Sequence, residues 1–152
     1  GKEEDAKLVT GGYRLEDGEY AKGFFVVPTI FDHVTTKMRI AQEEIFGPVV
    51  SIIRVKSFEE ALEAANSVKY GLSASIYTND VSRIFKFNDK IESGIVHVNS
   101  PTIGGEAHLP FGGAKSTGVG PREMGSTSLD FFTEIKTIYI DYTGKKREGN
   151  LY

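Results

Sequence analysis

"VVSIIRVKSFEEALEAANSVKYGLSASIYTNDVSRIFKFNDKIESGIVHVN", residues 49–99, alternates between two hydrophobic periods. Val49 to Val55 is rich in β-branched residues and predicts a strand. Ser57-Phe58-Glu59-Glu60 then reads as a capping box, because a Ser hydroxyl and a Glu three residues on can satisfy the orphan amides of a first helical turn. Apolar Phe58, Ala61, Leu62, Ala65 and Val68 recur at helical spacing, with Gly71 as the expected stop. Ala74 to Thr78 predicts a second strand. Asn79-Asp80 caps a second helix whose apolar face is Val81, Ile84, Phe85 and Ile91, and Gly94 ends it before a third strand, Ile95 to Val98. The order is β-α-β-α-β, which implies an α/β fold with parallel strands, right-handed crossovers and a ligand site beyond the carboxyl ends of the strands.

Upstream, Lys2 to Tyr20 carries the turn signals Gly11-Gly12 and Asp17-Gly18 and predicts a helix end followed by a hairpin. Phe24 to Ile30 is β-rich, with Pro28 placing that strand at an edge or starting it late. Downstream, residues 99–125 crowd Gly104, Gly105, Gly112, Gly113, Gly118, Gly120 and Gly125 into one stretch. Glycines let backbone amides approach a phosphate closely. The spacing matches neither a P-loop, which needs Lys-Ser/Thr where Val119-Gly120 stands, nor a dinucleotide fingerprint, which Glu123 breaks. A flexible loop near a site is the favoured reading. Ser126 then caps a short helix with Leu129, Phe132 and Ile135, and Thr137 to Tyr142 alternates like a terminal strand that needs an edge to pair with.

The chain has 152 residues, 39% hydrophobic and 26% charged, which is ample for one globular domain. Lys+Arg 18 against Asp+Glu 21 gives a net charge of −3, with no footprint for nucleic acid or an anionic membrane. No apolar run approaches a membrane span, and Gly1 to Asp5 lacks the order of a signal peptide, so a cytoplasmic location is expected. The absence of cysteine removes disulfides, thiolate metal sites and cysteine nucleophiles from this chain. His33, His97 and His108 show no metal-ligand spacing, and no metal is expected. His97, within a strand, reads as a satisfied, partly buried residue.

"EEIFGP", residues 43–48, puts a carboxylate two residues from an aromatic ring, followed by a stiff Gly47-Pro48 exit. Such a hook and ring suit a ribose-bearing ring cofactor, and a solvated turn would look much the same. Adjacent residues of an extended chain point to opposite sides, so at most one of Glu43 and Glu44 faces a given site.

"PTIF", "EEIFGPVV", "YGLSASIYT", "GIVHVN" and "PFGGAKSTGVGPREMG", in this order, resemble the C-terminal third of an NAD(P)-dependent aldehyde dehydrogenase, from about Ala6 to Tyr142. The resemblance implies a partial aldehyde dehydrogenase catalytic domain over residues 1–136, built on a parallel βαβαβ sheet, and an oligomerisation strand with a polar tail over 137–152. It implies that Glu44 accepts hydrogen bonds from the nicotinamide ribose, that Phe46 packs beside the nicotinamide of NAD or NADP, and that Thr102, Ile103, His108 and Phe111 line the aldehyde pocket. The parent reaction oxidises an aldehyde to a carboxylic acid. Its cysteine nucleophile and glutamate base precede the segment this chain resembles. The chain alone is therefore expected to be inactive, to need a missing N-terminal portion or a partner chain, and to form a homo-oligomer. The other reading is a non-catalytic assembly or regulatory module that keeps the fold.

Overall fold

The computed structural model describes residues 1–140 together with Tyr142 and Gly144. After a 3-10 turn at Lys2–Glu4 come β1 (Lys7–Thr10) and β2 (Arg14–Leu15). A second 3-10 turn, Gly18–Lys22, leads to β3 (Phe25–Val26) and β4 (Thr29–Asp32). Pro28 splits the apolar run, since it cannot donate to a ladder. The hairpin expected within Lys2 to Tyr20 instead joins β2 to β3, beyond that segment, and β4 begins just past Pro28 as the central strand of a sheet ordered β1-β4-β5. In that sheet β1 is antiparallel to β4, and β5 (Val49–Ser51), reached through α1 (Arg39–Gln42), is parallel to it. The core sits here, where Ala6, Phe31 and Val34 are buried with Leu8, Met38, Ile40 and Ile53 against them.

The next helix, α2 (Phe58–Asn66), starts as its sequence dictates: Ser57 Oγ accepts the Glu60 amide at 3.1 Å. The Glu60 carboxylate reaches back to the Lys56 amide at 2.7 Å, one residue before the cap. The helix ends at Asn66, before Gly71. Gly71 instead lies buried in β6 (Tyr70–Gly71), because a Cβ there would overlap the Glu92 carbonyl oxygen. Then follow β7 (Ser73–Ile76), α3 (Val81–Lys90) and β8 (Ile95–Val98), with Asp80 Oδ1 capping α3 through the amides of Ser82 at 2.9 Å and Arg83 at 3.2 Å. On α3 the core residue is Phe87, 6% exposed, while Phe85 is 69% exposed. Its inward stripe is buried Phe87 with half-buried Ile84 and, at the C-cap, Ile91, the i, i+3, i+7 set.

The α/β class and the order β5-α2-β7-α3-β8 stand as the periodicity predicts, and β7 runs parallel to β8 in register from Ser73–Ile95 to Ile76–Val98. The three strands do not share one ladder: β5 takes its parallel neighbour from β4, upstream, and β7 pairs with β8 alone.

The glycine-rich stretch is built into the structure and is no loose loop. Its β9 (Ala114–Lys115) pairs antiparallel with β6, and Phe111 and Glu123 exchange backbone hydrogen bonds at 2.6 and 2.9 Å. The Arg122 guanidinium donates to the Gly113 carbonyl. α4 (Thr127–Phe132) follows, with no side-chain cap from Ser126; Thr127 and Ser128 hydroxyls bond back to the carbonyls of Met124 and Gly125 instead. Residues 137–140 of the expected terminal strand are not in a strand here, as an alternating segment gains ladder bonds only from an edge beside it. Asp141 and the tail at 145–152 lie outside the described residues. No helix among the described residues is long and apolar enough to cross a membrane.

Candidate cofactor and substrate site

Of the paired carboxylates, Glu43 is committed. Arg39, one turn earlier on α1, donates from Nε at 2.9 Å and Nη2 at 2.8 Å to its two oxygens, and this bond holds the Glu43 carboxyl below the usual carboxylate range. Glu44 is exposed and makes no hydrogen bond or ion pair among the described residues, so its oxygens are available to hydroxyl donors. Both line a shallow cleft of about 400 Å³, with Gln42 from the end of α1, Val68, Tyr70 and Leu72 around β6, and Thr117 from the glycine-rich stretch.

Phe46 is 93% exposed and has φ +53. A bulky residue in the left-handed region is strained, and such strain gathers at ligand clamps. The turn spends backbone energy to display an aromatic ring beside a free carboxylate. Those two groups fit the ribose and ring of a nicotinamide cofactor, with the carboxylate as hydroxyl acceptor and the ring as apolar cover.

A second cleft, of about 640 Å³, lies along β8 and the start of the glycine-rich stretch. Ile103 and Phe111 both line it, with Ile95, His97, Leu109 and Met124. Thr102 and His108 do not. The Thr102 carbonyl instead receives the Ser73 hydroxyl at 3.4 Å, and His108, exposed, has Nδ1 at 3.4 Å from the Glu106 carboxylate. His97 departs from its expected role, because its Nε2 is buried with no hydrogen-bond partner. The sequence signal for this wall was the strand period, which sets Ile95 and His97 on one side of β8.

Other residues fix these walls in place. Asn99, at φ +53, bridges the ends of the parallel pair: its Oδ1 accepts the Thr78 amide at 2.8 Å and its Nδ2 donates to the Thr78 carbonyl at 3.0 Å. Lys115 Nζ donates to the carbonyls of Asn66 at 2.6 Å and Val68 at 2.9 Å, capping the C-terminal end of α2, and pairs with Glu92 at 2.9 Å.

Parallel ladders crossed by helices, with a carboxylate-and-ring turn and an apolar cleft beside them, define an α/β protein of the ligand-binding kind. A model of the aldehyde dehydrogenase family matches residues 1–138, and the chain belongs to that family. It is 51% identical over 140 residues to the alpha-ketoglutaric semialdehyde dehydrogenase of Bacillus subtilis (strain 168), covering 92% of this chain and 29% of that protein. An NAD-dependent aldehyde dehydrogenase from Sinorhizobium meliloti superposes with a TM-score of 0.84 at 34% identity, over 99% of this chain and 29% of that one. An aldehyde dehydrogenase from Mycobacterium tuberculosis complexed with NAD+ does so with a TM-score of 0.80 at 43% identity, over 88% and 27%. The chain thus spans less than a third of the length of the curated relatives it matches.

Proposed function

We propose that this chain is the C-terminal portion of an aldehyde dehydrogenase that oxidises an aldehyde to its carboxylic acid with NAD(P)+, and that its own part is to hold the nicotinamide end of the cofactor and one wall of the aldehyde pocket. The observation that carries this reading is the turn at Glu44 and Phe46, a carboxylate without internal partners beside a ring 93% exposed on strained backbone. Glu44 accepts the ribose hydroxyls and Phe46 shields the ring. Bound NAD(P)+ supplies the hydride acceptor. Ile103 and Phe111 wall the substrate, with Thr102 and His108 at its margin. The choice of NAD or NADP is made elsewhere in the enzyme, at the adenosine ribose.

The chain has no cysteine, so the nucleophile comes from the remainder of the enzyme, and the isolated chain does not oxidise aldehydes. The name of the Bacillus relative supports a semialdehyde that also bears a carboxylate. Residues 137–142, with Ile138 and Ile140 exposed, are the segment through which the cytoplasmic enzyme assembles as a homo-oligomer. A non-catalytic module would share the missing cysteine, and a partner segment that restores activity distinguishes the two.

The test is Glu44→Gln in the enzyme reassembled from this chain and its complement. The change removes a charge-assisted hydrogen bond, typically about 1.5–3 kcal/mol, and loosens the orientation on which hydride transfer depends. The expected result is a lower kcat and a larger isotope effect with a deuterated aldehyde. If rate and isotope effect both stay unchanged, Glu44 is a solvated turn residue.

A further inference from the structure

The turn that carries Glu44 and Phe46 is anchored only at its stems. Among the described residues no hydrogen bond reaches Glu44, Ile45 or Phe46, so nothing fixes the turn from within. The sheet sets its exit, where the Pro48 carbonyl accepts the Thr29 amide at 2.8 Å. Its entry is Glu43, and Arg39 holds that residue twice. The Glu43 amide donates to the Arg39 carbonyl at 2.7 Å, while the Arg39 guanidinium donates to both oxygens of the Glu43 carboxylate.

α1 has four residues, too few to hold a helical form by itself. It is braced from outside. Both Glu4 oxygens accept the Arg39 amide, at 3.0 and 3.1 Å, the Ser51 hydroxyl donates to the Ile40 carbonyl at 3.3 Å, and Gln42 Nε2 donates to the Thr36 carbonyl at 2.5 Å. These braces fix the helix, and the Arg39 side chain carries that fixed orientation on into Glu43.

Charge gives Arg39 a second task. A cleft of about 340 Å³ beside α1 is lined by Glu3, Glu4, Glu43 and Glu44, and Arg39 is the only cationic side chain among its lining residues. The bond to Glu43 above all, then the attraction of Glu43, Glu4 and Glu3, raises the Arg39 pKa above the ordinary arginine value. An exposed ion pair one helical turn apart adds little to stability, so what this pair supplies is orientation and cancelled charge. Without Arg39, Glu43 becomes a second free acceptor beside Glu44, and the like charges push the two apart.

We propose that Arg39 is a positioning residue for hydride transfer: its fork clamps Glu43 and cancels that carboxylate's charge, which aims Glu44 alone at the nicotinamide ribose. The inference rests on the reading of Glu44 as the ribose acceptor. Arg39 acts through the turn and needs no contact with cofactor or substrate.

The test is a double-mutant cycle in the enzyme reassembled from this chain and its complement, with Arg39→Met, Glu44→Gln and the two combined. Arg39→Met keeps the backbone amide that Glu4 accepts. It should lower kcat about tenfold and enlarge the isotope effect with a deuterated aldehyde, while the aldehyde KM stays within about twofold. In the combined variant the isotope effect should match that of Glu44→Gln alone, because residues that act as a unit are not additive. If Arg39→Met leaves rate and isotope effect unchanged while Glu44→Gln alters them, Arg39 is a surface ion pair, and the proposal is overturned with the ribose reading intact. Full additivity of the two changes overturns it as well, since Arg39 then acts by a route other than Glu44. If Glu44→Gln alone has no effect, the ribose reading and this proposal fall together. Should Arg39→Met prevent reassembly, Glu43→Gln decides the question: it weakens the clamp at nearly unchanged size, and an isotope effect equal to that of the unaltered enzyme would overturn the proposal.

Discussion

Phe46 is held at φ +53 with its ring in solvent, so it gains little from burial to offset a backbone well that disfavours bulky side chains by about 1–3 kcal/mol. Asn tolerates the left-handed region without adding the unfolded-state freedom of glycine. In the enzyme reassembled with its complement, Phe46→Asn should therefore raise the urea midpoint measured without cofactor, by about 1 kcal/mol in stability, and should weaken NAD(P)+ retention. An unchanged midpoint would mean that the turn stores no strain. Asp32 makes the opposite kind of contribution. Its buried carboxylate accepts Arg54 Nε at 3.0 Å and Nη2 at 2.5 Å and the His33 amide at 2.8 Å, and the Arg54 bond above all holds its carboxyl far below the ordinary value of 3.8. A depressed folded value stabilises above the unfolded one, and that contribution is lost as pH falls through the folded value. Asp32→Asn should destabilise at neutral pH, and the gap between the two urea midpoints should close as pH drops below about 4.

The caps and strands between Val49 and Val98 were legible because each rests on local chemistry: a hydroxyl at Ser57, a carboxylate at Asp80, β-branched residues in Ile95 to Val98. What failed was long-range. Gly71 looks like a helix stop from its neighbours, but its place in β6 is set by Glu92, which no local pattern reveals. The glycine-rich stretch invited readings as an anion cradle or a flexible loop, and most of its glycines serve neither role. A Cβ at Gly94 would overlap the Gly112 carbonyl oxygen, and one at Gly113 would overlap Thr117. These residues let strand and loop backbones touch, with Arg122 and Lys115 tying the contact down. Glu44 and Phe46 stand out from residue chemistry alone, whereas the orphaned Nε2 of His97 depends on packing and could not be read from sequence. Gly94→Ala tests the close approach: with backbone on both sides nothing can yield, so the stretch must lift from β8. A loss of about 3 kcal/mol or more is expected, at the severe end for a single substitution. Faster exchange at the Phe111 and Glu123 amides should accompany it, and a neutral effect would show that the contact is slack.

At the scale of the whole chain, composition and burial disagree in an informative way. A sequence 39% hydrophobic normally buries a substantial core, yet among the described residues the buried apolar side chains are Ala6, Phe31, Val34 and Phe87. Phe24, Val119 and Ile135 each stand 90% exposed or more. Single exposed apolar residues are ordinary, but this many beside so small a buried core, in a chain with open strand edges, point to surfaces that meet other protein. The local elements are well specified, so they should form without the remainder of the enzyme, whereas tight side-chain packing should not. This combination predicts native-like far-ultraviolet circular dichroism, binding of a dye such as ANS, and a broad, shallow urea transition for the isolated chain. Adding the N-terminal remainder of the Bacillus relative should release the dye and sharpen the transition, because burial of the same surfaces makes unfolding cooperative. A sharp transition without dye binding in the isolated chain would show that these 152 residues close a core of their own, and the exposed apolar side chains would then need another explanation.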